Sequence, residues 1–250
     1  MVYKWDLHIP KLSPELSRRA YLYLPAGYDE QPDRRFPVMY MFDGHNVFFD
    51  EDATYGKSWG MARYLDETQT PLIVAAVECN SIGNNRLEEY CPFTCEDPKL
   101  GVIRGRGRAT MNWFVHEFKP MIDANIRTLS DRSNTFICGS SMGGLMSLYA
   151  ATAFNATFGK AACLSPSLWL GAGKMRRIIN QADIAPDTLI YMDYGGEEMA
   201  NHAANLSALT SCSTALLKKG VDLTFRIAPG GTHCEASWER QIPVFMKCLG

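Results

Sequence analysis

Thr135-Phe-Ile-Cys-Gly-Ser-Ser-Met-Gly-Gly144 is the stretch on which the reading of this 250-residue chain turns. Thr135-Phe-Ile-Cys138 is a short apolar run of the kind a strand covered on both faces requires. Gly139-Ser-Ser-Met-Gly143 then matches G-x-S-x-G, and Leu145–Ala153 continues as an Ala- and Leu-containing helix. Strand, motif and helix in that order are the context of a nucleophile elbow, a strained turn that holds a serine out at the carboxyl edge of a sheet. Glycine fits two residues to either side because strand and helix pass there too closely for a Cβ. Ser140 is a competing serine, but only Ser141 has glycine at both −2 and +2. A Gly- and Ser-rich turn without chemistry is the ordinary alternative, and the flanking strand and helix argue against it. The helix start behind Ser141 offers free N–H groups, that of Met142 first, to a developing oxyanion.

Outward from the elbow, strand and helix signals alternate. Two β-rich segments, Val2–Ile9 and Arg19–Leu24, open the chain, and Pro25–Arg35 reads as turn and loop. Phe36–Phe42 and Pro71–Val77 are almost wholly apolar and predict buried strands, with a helix near Gly60–Glu67 between them. Lys160–Leu164, Thr188–Met192 and Asp222–Ile227 supply three more strands. Helices are expected at Thr110–Arg127, Ala200–Lys219 and Ala236–Leu249; the first carries Met111, Phe114, Val115, Phe118, Met121 and Ile122 at helical spacing. Between Glu78 and Ala109 the chain is rich in Gly, Asn, Pro and charge, a long irregular excursion of the functional or mobile kind. The alternation predicts a mostly parallel central sheet with helices on both faces, the α/β-hydrolase fold, in a single domain over residues 1–250.

Composition narrows the function classes. With 46% hydrophobic and 11% aromatic residues the chain can bury a full core. A formal charge of −2 leaves no electrostatic footprint for nucleic acid, and Arg104-Gly-Arg-Gly-Arg108 reads as a solvated loop. No run approaches the ~18 apolar residues that span a bilayer, so neither a membrane nor a nucleic-acid partner is expected. Nor does anything here specify an oligomeric state. Met1–Asp6 lacks the pattern of a secretory leader. The eight cysteines are scattered, and Cys91-x3-Cys95 without a second pair is a weak zinc signal. Free thiols in the cytoplasm, no metal and no cofactor are the expectation, so chelators should leave activity intact.

A serine hydroxyl needs a base. Of the five histidines only His202 and His233 follow Ser141, and the base of this fold lies on the loop after the last strand. His233, in Ala228-Pro-Gly-Gly-Thr-His-Cys-Glu235, stands there; His202 falls early in an expected helix. Activity should therefore rise with pH through a single ionisation, since the base must be neutral to accept the Ser141 proton. The acid must come from Met192-Asp-Tyr-Gly-Gly-Glu-Glu198. Asp193 reads as part of the strand end, while Glu197 and Glu198, beyond the Gly195-Gly196 turn, both have the reach. A second oxyanion donor, after that of Met142, is expected from the loop following Phe36–Phe42: Asp43-Gly44 would aim the backbone N–H of His45 into the site. Trp169 and Trp59 could stack on a substrate ring, although plain core is the commoner fate of a Trp.

Taken together these segments resemble the esterase D-type family of esterases, which includes enterochelin, feruloyl and acetyl-xylan esterases, S-formylglutathione hydrolases and mycolyltransferases. Phe36-Pro-Val-Met-Tyr-Met-Phe-Asp-Gly-His-Asn-Val-Phe48 is similar to its oxyanion-loop segment and Gly139–Gly144 to its elbow. Tyr191–Glu198 is similar to its acid segment and Gly231-Thr-His-Cys-Glu-Ala-Ser-Trp238 to its histidine segment. Asn85-Arg-Leu-Glu-Glu-Tyr-Cys-Pro92 also resembles bacterial members. Relatives read Gly-x-x-acid, and this resemblance, not the spacing, implies Glu198 as the acid of a Ser141–His233–Glu198 triad. Asp43 departs from the family, where many members have His. The implied activity is hydrolysis of a small or carbohydrate-linked ester through an acyl-enzyme, with Trp169 contacting the substrate. An acyltransferase with the same triad and a non-catalytic binding protein are the rival readings; diversion of product from acid to ester by added alcohols separates the first two.

Overall fold

Short strands in which every residue is buried form the middle of the molecule, because their side chains meet helices on both faces. The structure, a computed structural model, describes residues 1–198 and 202–250. The chain opens with an antiparallel pair, β1 (Val2–Ile9) and β2 (Ser13–Tyr23). Then come β3 (Val38–Met41), α1 (Met61–Thr68), β4 (Ile73–Val77) and α2 (Asn85–Glu89). A small hairpin, β5 (Cys95–Asp97) and β6 (Gly101–Ile103), precedes α3 (Gly107–Trp113) and α4 (Lys119–Asn125). The elbow half follows: β7 (Thr135–Ser140), α5 (Met142–Ala153), β8 (Lys160–Leu164) and α6 (Ala172–Gln181). Last are β9 (Leu189–Gly195), α7 (His202–Leu217), β10 (Asp222–Ala228), α8 (Glu235–Glu239) and α9 (Ile242–Leu249). The eight-stranded sheet runs β1-β2-β4-β3-β7-β8-β9-β10, parallel from β4 to β10. This is the α/β-hydrolase fold expected from the alternation.

Strand pleating sorts the core into two layers. Tyr40, Ala75, Ile137, Ala161 and Met192 face one layer with residues of α3 to α7, such as Phe118, Leu148 and Met175. Their sequence neighbours Met39, Val74, Phe136, Ala162 and Tyr191 face the other, with Leu65 of α1 and Ile242, Phe245 and Leu249 of α9. Six parallel strands thus end at one edge, where an open α/β sheet exposes its binding crevice.

Several elements differ from the sequence expectation. The excursion Glu78–Ala109 is not irregular throughout: it holds α2, the β5–β6 hairpin and the start of α3. A buried ion pair ties it down, Arg18 Nη1 and Nη2 donating to Glu89 at 2.9 and 2.5 Å, with both residues at most 2% exposed. The helix expected over Thr110–Arg127 is three segments, with a π-helical stretch at Phe114–Phe118 and an end at Asn125. Pro120 explains the widened turn, since its ring crowds the carbonyl four residues back and it donates no N–H. Pro243 likewise splits the expected final helix into α8 and α9. The ten-residue α6 was not anticipated. In the helix expected from Ala200, the first two residues lie outside the described residues.

Candidate active site

Ser141 sits between β7 and α5 with φ 57° and ψ −118°, a conformation that a non-glycine residue keeps only when its surroundings enforce it. Its N–H donates to Leu164 at 2.9 Å, and its carbonyl accepts from Leu145 and Ser167 at 3.0 Å each. A Cβ on Gly139 would lie 2.7 Å from the Gly143 backbone, which is why the motif needs glycine there. The Ser141 hydroxyl lies 3.3 Å from that of Ser167. Met142 is the first residue of α5, so no turn of the helix occupies its N–H.

The acid and histidine loops touch through glycine. A Cβ on Gly195 would meet the Gly231 carbonyl at 2.4 Å, and Glu197 N–H donates to that carbonyl at 2.8 Å. This contact sets Glu198, 2% exposed, against His233: Nδ1 lies 2.9 Å from Oε2. The carboxylate accepts, so Nδ1 carries the proton and Nε2 is left as the acceptor nitrogen. The other oxygen of Glu198 accepts from Gly195 N–H at 2.9 Å and from the Ser165 hydroxyl. Ser165, held at φ 43°, in turn accepts from Trp238 Nε1 at 3.0 Å, and the Trp238 ring stands edge-on to His233 with centroids 5.0 Å apart. Ser165 and Trp238 are thus positioning groups that sequence reasoning did not assign; the signal for Ser165 was its place directly after a strand end.

Asp193 and Glu197 do not reach the imidazole. Asp193 is 1% exposed, and its two oxygens accept from Ser165 N–H at 3.1 Å and Tyr191 O–H at 2.9 Å. Burial pushes its carboxyl up to about 6, opposed by those two hydrogen bonds. Glu197 is exposed.

Ser141 and His233 line one cavity of about 460 Å³ together with Asp43, His45, Asn80, Arg86, Glu235 and Trp238. The loop after β3 forms one wall. Asp43 adopts the left-handed conformation, φ 55°, and Gly44–Asn46 makes one 3₁₀ turn closed by Asn46 N–H to Asp43 at 2.8 Å. The His45 N–H takes no part in that turn, and its imidazole lies 3.1 Å from the Thr54 hydroxyl. Asp43, the departure from the family pattern, is 5% exposed and held by Arg86 through two hydrogen bonds of 2.7 and 2.6 Å. Burial works against its charge, but Arg86 prevails and keeps the carboxyl below its ordinary value. Glu235 goes the other way: burial raises its carboxyl, and the charge of Asp43 adds to the effect. Trp59 is core, 3% exposed against Trp238 and Phe245. Trp169, 41% exposed, borders a separate small recess shared with Glu198 and His233. Among the described residues, one set could hold a metal ion, Asp43, His45 and Cys79, whose donor atoms lie within 4.8 Å of one another. The guanidinium on Asp43 makes it a poor cation site.

The family model described as "Putative esterase" matches residues 13–247. The chain belongs to this family. It is a serine ester hydrolase with the α/β-hydrolase fold. It is 26% identical over 185 residues to the protein YbbA of Bacillus subtilis, an alignment covering 73% of this chain and 69% of that protein. An IroE-like serine hydrolase from Shewanella oneidensis superposes with a TM-score of 0.76 at 18% identity, covering 100% of this chain and 79% of that one. The S-formylglutathione hydrolase of Staphylococcus aureus gives 0.69 at 16% identity, covering 100% and 96%. At such identities the two superpositions establish a shared fold. No helix among the described residues is long and apolar enough to cross a membrane.

Proposed function

We propose that this esterase hydrolyses a small or carbohydrate-linked ester through a Ser141–His233–Glu198 triad and an acyl-enzyme. The observation that carries the reading is the 2.9 Å contact between Glu198 and His233 at the strand edge, beside a strained Ser141 in the same cavity. His233 Nε2 takes the proton as Ser141 Oγ attacks the ester carbonyl. Glu198 holds the tautomer and stabilises the imidazolium as it forms. The N–H groups of Met142 and His45 receive the oxyanion; removing one such donor typically costs about 3–4 kcal/mol of the barrier. His233 then protonates the leaving alcohol, and water repeats the sequence on the acyl-enzyme. Trp169, beside His233, contacts a group extending past the imidazole.

The cavity supports a polar substrate. Among the described residues its lining includes no Leu, Ile, Val, Met or Phe side chain, so a long acyl chain would find no aliphatic wall there. The eight cysteines are unpaired, which supports a reducing compartment such as the cytoplasm. The test is Ser141→Ala assayed on p-nitrophenyl acetate: turnover falls more than about a hundredfold in a folded protein. Retention of more than about a hundredth of wild-type turnover refutes the nucleophile. Added alcohols that divert product from acid to ester would replace hydrolysis by acyl transfer.

A further inference from the structure

The cavity wall holds two buried polar side chains that the triad does not use. Glu235 is 6% exposed, and among the described residues no other side chain hydrogen-bonds to its carboxylate. Asn80 is 3% exposed; its N–H donates to Glu89 at 3.3 Å and its Oδ1 accepts from Ile82 N–H at 3.0 Å, which leaves Nδ2 without a partner. Buried polar groups normally find partners, because leaving them unmade forfeits their hydration for nothing. Here Glu235, whose carboxylate accepts from its own backbone N–H, and Asn80, whose Nδ2 has no protein partner among the described residues, both open onto the cavity of Ser141.

Their placement says which part of a substrate they meet. Glu235 stands two residues after His233 in the chain and lines the same cavity as His233, Asp43 and Arg86. His233 hands its proton to the leaving alcohol, so the space beside it is the alcohol side. A hydroxyl both donates and accepts, which matches a carboxylate and an amide NH₂ that line one cavity. Arg86 and Asp43 largely cancel, and the remaining Glu235 carboxyl disfavours an anionic alcohol.

We propose that Glu235 and Asn80 form a hydroxyl-binding subsite beside His233, so that the preferred substrate is an ester of a neutral polyhydroxylated alcohol. This rests on the esterase reading above and adds the group that selects the alcohol. A site built to hydrogen-bond a hydroxyl rejects the analogue that lacks it, because its own buried groups then stay unpaired.

The experiment compares glyceryl monoacetate with propyl acetate, which share the acyl group. Wild type is expected to favour the glyceryl ester by roughly tenfold or more in kcat/KM. Glu235→Leu brings that ratio close to one, and Glu235→Gln, which keeps a weaker neutral acceptor, lowers it by roughly threefold. The Gln variant preserves volume and carries the test if the Leu variant does not fold. A second readout is independent of turnover: saturation-transfer NMR on Ser141→Ala detects glyceryl monoacetate, and adding Glu235→Leu weakens that binding by roughly tenfold. Absent hydrolysis with binding intact would refute the esterase reading and not the subsite. A wild-type ratio near one, a ratio unchanged in both Glu235 variants, or a preference for acetylcholine over the glyceryl ester would overturn the subsite.

Discussion

Replacing Glu198 by Gln tests the proposed acid because the local hydrogen bonds dictate how the amide must lie. One Glu198 oxygen accepts from Gly195 N–H at 2.9 Å, and a backbone N–H can only donate. The Gln oxygen must therefore occupy that position, which turns the amide NH₂ toward His233 Nδ1, now 2.9 Å from the other carboxylate oxygen. Facing a donor, Nδ1 becomes the acceptor and the ring proton moves to Nε2. That nitrogen then cannot take the Ser141 proton. The comparable wrong-tautomer substitution in a serine protease costs about 10⁴ in kcat. Glu198→Gln should lower kcat by roughly 10³–10⁴, about 4–5.5 kcal/mol of barrier, with KM changed little. Shape and burial are conserved, so the melting temperature should move by only a few degrees. The assay is steady-state hydrolysis of p-nitrophenyl acetate, with Asp193→Asn run in parallel and expected to keep kcat within about fivefold, since Asp193 acts through Ser165 and Tyr191 and not on the imidazole. Glu198→Gln within tenfold of wild type, or a collapse of Asp193→Asn in folded protein, refutes the reasoning.

Asp193 also predicts a pH effect on stability. Its folded-state value, raised to about 6, exceeds the unfolded one, so its contribution is fully present below about pH 4 and is lost as pH rises through about 6. Denaturant titrations should show Asp193→Asn gaining on wild type by about 3 kcal/mol between about pH 4 and pH 7; a difference independent of pH contradicts this. Arg18→Met leaves Glu89 as a buried uncompensated charge and should cost about 3–5 kcal/mol, whereas Arg18→Met with Glu89→Leu should recover most of the loss. Thermal unfolding reads both, and a double variant no more stable than the single one would show that the pair is not the determinant.

The chain's local pattern settled the α/β layering and the position of the elbow. Runs such as Val38–Met41 and Ile73–Val77 are apolar at every residue because both faces of the sheet are covered, and that requirement shows in sequence without any knowledge of partners. The proposed nucleophile Ser141 and base His233 could be named from the sequence for a related reason: a strained turn demands glycine at set offsets, and chain order restricts a base to one loop. Pro120 and Pro243 were written in the sequence too, although helical periodicity concealed the breaks they cause. Which of Asp193, Glu197 and Glu198 contacts His233 was not local. It depends on the Gly195–Gly231 contact, which joins two loops far apart in the chain and turns one carboxylate toward the imidazole and another toward Tyr191. The contacts of Ser165 and Trp238, the pairing of Asp43 with Arg86 and the opening of Glu235 onto the cavity have the same origin. Each is a matter of which polar group is left for another once both are buried, and burial is a property of the assembled sheet and its loops, which no single segment encodes.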